Sequence, residues 1–128
     1  MAIEIDHLGI AVRSLGEGLS FYRDTLGMTV AHQETVAAEH VNVAMLSSKI
    51  ELLEAADDQS TIARFVAKRG PGLHHVAVKV DNLNGVVENL RQQGARLLNE
   101  PRPGAGGHIY VFVHPESTGG VLLELIQK

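Results

Sequence analysis

The chain repeats itself, and this constrains its architecture more than any other feature. Ile5-Asp6-His7-Leu8-Gly9-Ile10-Ala11-Val12 returns, with a histidine in the same place, within Gly72-Leu73-His74-His75-Val76-Ala77-Val78-Lys79-Val80. Ile50-Glu51-Leu52-Leu53 returns as Leu123-Glu124-Leu125-Ile126. His7 and His75 stand 68 positions apart, and Glu51 and Glu124 stand 73 apart. Two such offsets describe one duplicated unit with a loop of different length in the second copy. Self-similarity at a fixed spacing means that each copy is one supersecondary unit completed by the other.

Apolar periodicity supplies the elements. Residues 3–12 are expected to form a strand. Ser14 and Glu17 have capping-box spacing, Leu15, Leu19, Tyr22 and Leu26 follow at helical spacing, and Gly27 stands where the helix should stop. Residues 28–34 read as a strand, and 41–46 with 49–54 as a hairpin around Ser47-Ser48. The first copy is therefore β-α-β-β-β. A connecting helix carrying Ile62, Phe65 and Val66 runs to position 68 and is ended by Gly70-Pro71. The second copy repeats the order. Strand 74–80 leads to a helix capped by Asp81-Asn82, which carries Leu83, Val86, Val87 and Leu90 and is ended by Gly94. Strand 95–99, a Pro/Gly loop over 101–107, and strands 109–113 and 121–126 follow, the last two joined by the turn-rich 114–120. The expected fold class is α+β: two βαβββ modules paired into a curved eight-stranded mixed sheet that encloses a cleft. The chain reads as a single domain, with module 1 over about 1–55, the connector helix over about 56–71 and module 2 over about 72–128.

Composition narrows the function. A chain of 128 residues is long enough for one real core. With no cysteine it has no disulfide framework, no thiolate ligand and no cysteine nucleophile. That suits a reducing compartment, and a cytoplasmic location is expected. A net charge of −4 argues against a nucleic-acid footprint. No apolar run approaches the roughly 18–20 residues of a membrane span, and no secretory signal is expected.

Two histidines and two glutamates occupy matched places in the two copies. Imidazole and carboxylate together suit a borderline divalent ion such as Zn²⁺, Co²⁺, Ni²⁺ or Mn²⁺. Glu51 lies between Ile50 and Leu52, and Glu124 between Leu123 and Leu125. Side chains alternate along a strand, so one face carries the carboxylate and the other the core. A carboxylate so placed needs a cation or a donor, because burying it unpaired costs several kcal/mol. A lone histidine in a strand is more often a packed or solvated residue, and a glutamate between leucines is more often on a wet face. The matched quartet outweighs those readings. Other signals are weaker. His74 points away from His75 and is read as packing or supporting the site. His32, His40, His108 and His114 lie near loops, with His40 and His108 at the cleft edge if they take part. Gly104-Ala105-Gly106-Gly107 joins two strands with no helix behind it to receive a phosphate, so it is no dinucleotide fingerprint. Lys68-Arg69 reads as a solvated helix end.

The whole chain resembles the vicinal oxygen chelate superfamily, in which paired βαβββ units carry a His-Glu-His-Glu quartet. Within it the chain is most similar to the methylmalonyl-CoA epimerase family. That likeness is carried by three stretches: Ile5 to Val12; Ser60-Thr61-Ile62-Ala63-Arg64-Phe65 running on to Lys68-Arg69-Gly70-Pro71-Gly72-Leu73-His74-His75; and His114-Pro115-Glu116-Ser117 running on to Gly120-Val121-Leu122-Leu123-Glu124-Leu125. The resemblance implies that His7, Glu51, His75 and Glu124 are metal ligands, Glu51 at a position where the family also accepts glutamine. Co²⁺ is placed first among the ions, ahead of Mn²⁺, Ni²⁺ and Zn²⁺. It implies interconversion of (2R)- and (2S)-methylmalonyl-CoA by proton abstraction at C2 through a metal-stabilised enolate, with an acyl-CoA as partner molecule and a homodimer as the assembly. Epimerisation needs two proton carriers, one for each face of C2. Glu124 is the first candidate. The family's second catalytic glutamate falls at Val43 here, and valine moves no proton, so Glu51, His40 or a bound water takes that part. Two further readings are a glyoxalase I-like lyase acting on a hemithioacetal and a metal-free small-molecule-binding module of the same fold. The second expects an aromatic-lined cleft, and the chain holds no Trp, two Tyr and three Phe. An extradiol dioxygenase fits less well, because its iron takes two His and one carboxylate and leaves positions open.

Overall fold

The computed structural model describes residues 3–128. The chain divides into two compact units, one formed by Leu8–His74 and the other by His75–Lys128 together with the residues up to His7.

Strands β1 (Glu4–Ala11), β2 (Val30–Val36), β3 (Val41–Leu46) and β4 (Ile50–Ala55) lie in the order β2-β3-β4-β1, the first of these units holding all of them but the start of β1, Glu4 to His7. β1 and β4 are parallel and the other neighbours antiparallel. Helix α1 (Leu15–Leu19) starts at Ser14, whose hydroxyl accepts the Glu17 N–H at 3.1 Å as the capping spacing requires. It does not run on as one α-helix. Residues Ser20–Thr25 widen into a π-helical turn, with the Leu26 N–H bonded to the Phe21 carbonyl at 2.8 Å. The helix lies so close to the sheet that a Cβ on Gly18 would meet Leu52 and Val12 side chains at 3.0 Å. Glycine there costs helix propensity but permits the approach. Val12, Leu19, Ala44, Leu46 and Leu52 form the buried core of this unit. Helix α2 (Thr61–Arg69) is the connector, capped by the buried Ser60 and ended at Gly70.

Strands β5 (Gly72–Lys79), β6 (Arg102–Pro103), β7 (Ile109–Val113) and β8 (Leu123–Gln127) lie in the order β5-β8-β7-β6, with β5 and β8 parallel, and from His75 onward they belong to the other unit. Helix α3 (Leu83–Gln92) is capped by Asn82 and lays Leu83 and Val87 onto Val80, Val111, Val113 and Leu125. Full burial of such side chains stabilises by roughly 1.5–3 kcal/mol each.

The second strand of this module is displaced from its expected place. Residues 95–99 form no strand beyond a single bridge from Leu97 to Val113, and the strand lies instead at Arg102–Pro103, inside the expected loop. The Asn99 carboxamide explains the shift. Its Oδ1 accepts the Phe112 N–H at 2.8 Å, and its Nδ2 donates to the Tyr110 carbonyl at 3.3 Å. A side chain there occupies ladder positions that backbone would otherwise fill. The turn-rich 114–120 also holds a short helix, α4 (Pro115–Thr118), which the His114 ring caps by accepting the Glu116 N–H.

The duplication extends to details that local sequence does not display. Ser14 and Asn82 cap equivalent helices. The Glu54 carboxylate accepts the Leu15 N–H at 2.8 Å, and the equivalent Gln127 accepts the Leu83 N–H at 2.8 Å. Each module thus ties the end of its last strand to the start of its helix. Glu54 also accepts from Asn42 Nδ2 at 2.8 Å, and Asn42 Oδ1 accepts from the Thr35 hydroxyl. Glu54→Ala is expected to lower stability by about 1–3 kcal/mol, because it strands the helix N-terminus and Asn42 together. Urea unfolding against the parent protein measures this, and an unchanged midpoint would rule out the tie.

Candidate metal centre

Three of the four quartet residues come together. His7 stands on β1, His75 on β5 and Glu124 on β8, all within one compact unit. They are 3%, 4% and 8% exposed. His7 Nε2 lies 3.3 Å from His75 Nε2, Glu124 Oε1 lies 3.1 Å from His75 Nε2, and it lies 3.9 Å from His7 Nε2. One donor atom from each lies within 4.8 Å of the others. With those separations, a point equidistant from all three atoms sits about 2.0 Å from each, the distance imidazole nitrogen and carboxylate oxygen keep from Zn²⁺-type ions. The donor set, two imidazoles and a carboxylate without sulfur, suits a borderline divalent cation. The residues present therefore fit the ion that the sequence led us to expect.

The fold presents these atoms for identifiable reasons. β5 and β8 are parallel with Ala77 opposite Glu124, and His75 lies two residues before Ala77, on the same face. His7 is oriented from behind: its Nδ1 donates to Asp6 Oδ2 at 2.6 Å, so Nε2 carries the lone pair. Asp6 also accepts from Lys128 Nζ at 3.1 Å. Burial works to raise the Asp6 carboxyl, but the bonds from His7 and Lys128 outweigh it and hold the group below its ordinary value. The His75 ring is wedged edge-on between two others, His7 and Phe112, each with centroids 5.4 Å away. Phe112 stands directly opposite Glu124 in the β7–β8 ladder.

Glu51 is not among the three clustered residues. It is 5% exposed on β4, opposite Gly9 on β1 and Met45 on β3. Gly9 follows His7 by two residues, as Ala77 follows His75, so Glu51 and Glu124 hold one register position in their respective modules. Val43 pairs with Leu53 on the same strand face as Glu51. Across β2 its partner is Glu34, whose Oε1 lies 2.9 Å from His32 Nε2. Both residues lie inside the strand expected over 28–34; what the sequence did not show is that Glu34 stands opposite Val43 across the β2–β3 ladder. Alternation places His32 and Glu34 on one face, and the register through Met45 and Val43 makes it the face of Glu51. His40 is in the left-handed region at φ 54 and its Nδ1 lies 2.8 Å from Asp57 Oδ2, an exposed pair that lowers the Asp57 carboxyl, with help from the Gln59 N–H. His74 packs edge-on against Phe65 of α2, at 5.0 Å. His114 caps α4 and His108 ends the 3₁₀ turn Ala105–Gly107; neither belongs to the cluster.

Residues 6–112 match the Glyoxalase/Bleomycin resistance protein/Dioxygenase superfamily. Over 127 residues, 96% of this chain and 91% of the other, the chain is 41% identical to the uncharacterized protein YqjC of Bacillus subtilis. It is 37% identical to the mitochondrial methylmalonyl-CoA epimerase of Mus musculus, covering 96% of this chain and 72% of that one. Its fold superposes on a solved methylmalonyl-CoA epimerase in complex with methylmalonyl-CoA and NH4+ with a TM-score of 0.93 at 35% identity, covering 100% and 96% of the two chains.

Proposed function

The chain belongs to the glyoxalase/bleomycin resistance protein/dioxygenase superfamily, and we propose that within it the chain is a metal-dependent epimerase interconverting (2R)- and (2S)-methylmalonyl-CoA. The carrying observation is the convergence of His7, His75 and Glu124 around one point at ligand distance, in a chain related along nearly its whole length to methylmalonyl-CoA epimerases.

The substrate's C2–H lies between a thioester carbonyl and a carboxylate, so its conjugate base is an enolate. His7, His75 and Glu124 hold the divalent ion, and Glu51, which repeats Glu124 in the other module, is the fourth donor in this reading. When bound, the ion supplies Lewis acidity toward the substrate's two oxygens. Asp6 keeps His7 in the tautomer that offers Nε2. Phe112 and the flanking rings hold His75 in place and exclude water from its buried side. Glu124 moves the C2 proton on one face. With valine at position 43, Glu51 moves it on the other. Inversion at carbon requires that the proton leave one face and return on the opposite one, so two carboxylates with access to C2 suffice. Co²⁺ is the ion placed first. The same reading has the chain acting as a cytoplasmic homodimer, which a solution mass of twice the chain mass would support. Among the described residues no helix is long and apolar enough to cross a membrane.

The test is incubation of Co²⁺-loaded protein with a single epimer of methylmalonyl-CoA in D₂O, beside a parallel reaction with methylglyoxal and a thiol. Deuterium at C2 together with loss of optical purity is the expected result. An S-lactoyl thioester in the second reaction, with no exchange in the first, would replace this reading with that of a hemithioacetal lyase.

A further inference from the structure

We propose that Lys128 is a positioning residue of the metal centre, acting through Asp6 on His7. The inference rests on the reading of His7 as a metal ligand and goes beyond it.

The geometry is a chain of three groups. The Lys128 ammonium lies 3.1 Å from Asp6 Oδ1, and Asp6 Oδ2 lies 2.6 Å from His7 Nδ1. The two oxygens of one carboxylate are thereby assigned, one to each partner. The Asp6 side chain is sheltered at 9% exposure, while Lys128 reaches it from the solvent side at 36%. A sheltered carboxylate is costly unless its charge is met, and a neutral imidazole N–H meets it only in part. Lys128 meets the rest. It also removes the carboxylate's freedom to rotate, because turning Oδ2 away from His7 breaks the ammonium contact as well. Carboxylates behind metal-ligating histidines set ring orientation and ligand basicity. Here that carboxylate has its own anchor, drawn from just beyond the last strand of the sheet, which also supplies Glu124. β8 therefore contributes twice: a ligand at Glu124 and, through the residue after its end, support for the ligand on β1. A second ion pair on β1 provides a control. Lys79 Nζ lies 2.9 Å from Glu4 Oε1, so this ammonium bonds a different carboxylate and reaches Asp6 through its charge rather than as its 3.1 Å anchor.

The experiment measures Co²⁺ dissociation constants of the full chain by chelator competition, together with the visible d–d spectrum of the bound ion. Asp6→Ala is expected to weaken binding about 10–100-fold. Lys128→Met is expected to weaken it several-fold and to shift the d–d band, Lys128→Arg to restore both, and Lys79→Met, which removes a charge near Asp6 but not its anchor, to leave the d–d band in place and change affinity less than Lys128→Met does. In the Asp6→Ala background, Lys128→Met is expected to add nothing, since its route to the metal is gone. A Lys128→Met protein with parental affinity and spectrum would overturn the inference alone. So would a Lys128→Met effect that persists in full without Asp6. Parent protein that binds no Co²⁺ would overturn the metal reading itself, and this inference with it.

Discussion

Glu51→Gln is expected to retain the metal and lose epimerisation by about 10²–10⁴-fold, the range of a positioned acid/base. The amide keeps an oxygen donor of the same reach, and the family resemblance admits glutamine at this position, so ion stoichiometry should stay near that of the parent. What disappears is the ability to take and return a proton. Two-carrier epimerisation makes a sharper statement than a rate. With one carrier removed, one epimer should still exchange its C2 proton with D₂O through Glu124, while inversion stops. Exchange without inversion, seen for one epimer only, is the diagnostic result. Glu34→Gln is the necessary companion, because Glu34 stands across the ladder from Val43. If Glu34→Gln shows the one-sided exchange and Glu51→Gln does not, the second carrier is Glu34. Parental inversion rates in both variants would exclude either carboxylate from proton transfer.

His75→Ala is expected to abolish stoichiometric metal binding and to lower turnover by about a thousandfold. His75 Nε2 is the donor closest to both others, at 3.3 Å from His7 and 3.1 Å from Glu124, so its removal takes away the middle of the ligand set. Lewis-acid stabilisation at such a site is worth several kcal/mol, and each 1.36 kcal/mol is tenfold in rate. Elemental analysis of protein purified without a tag reads the first effect and an epimerisation assay the second. Full activity with bound metal lost would show that the ion is not part of the chemistry. The adjacent His74→Ala supplies the contrast. Its ring packs on Phe65 and is not one of the clustered donors, so it should cost stability and leave metal stoichiometry intact.

The misread elements share one cause. Residues 95–99 alternate like a strand, but the Asn99 side chain takes the ladder bonds from Phe112 and Tyr110. The strand then forms beyond Pro101, where Gly and Pro signalled a loop. The segment over 114–120 looked like a turn because its helix is four residues long and capped by a histidine ring. In each case a side chain did what backbone usually does, and propensity does not register that. β2 begins two residues later than expected, which leaves the faces of His32 and Glu34 unchanged; their relation to Glu51 depends on the β2–β3–β4 register, which only the tertiary structure supplies.

The amino-acid sequence by itself determined the duplication, the βαβββ order, the helix caps at Ser14 and Asn82, and the candidacy of His7, Glu51, His75 and Glu124. These follow from apolar period and from residue types at matched positions, which are local properties of the chain. Only the tertiary structure decided that His7, His75 and Glu124 meet within ligand distance, that Asp6 stands behind His7, and that Lys128 stands behind Asp6. Such proximities depend on which strands pair and in which register, and a one-residue slip would turn each side chain to the opposite face.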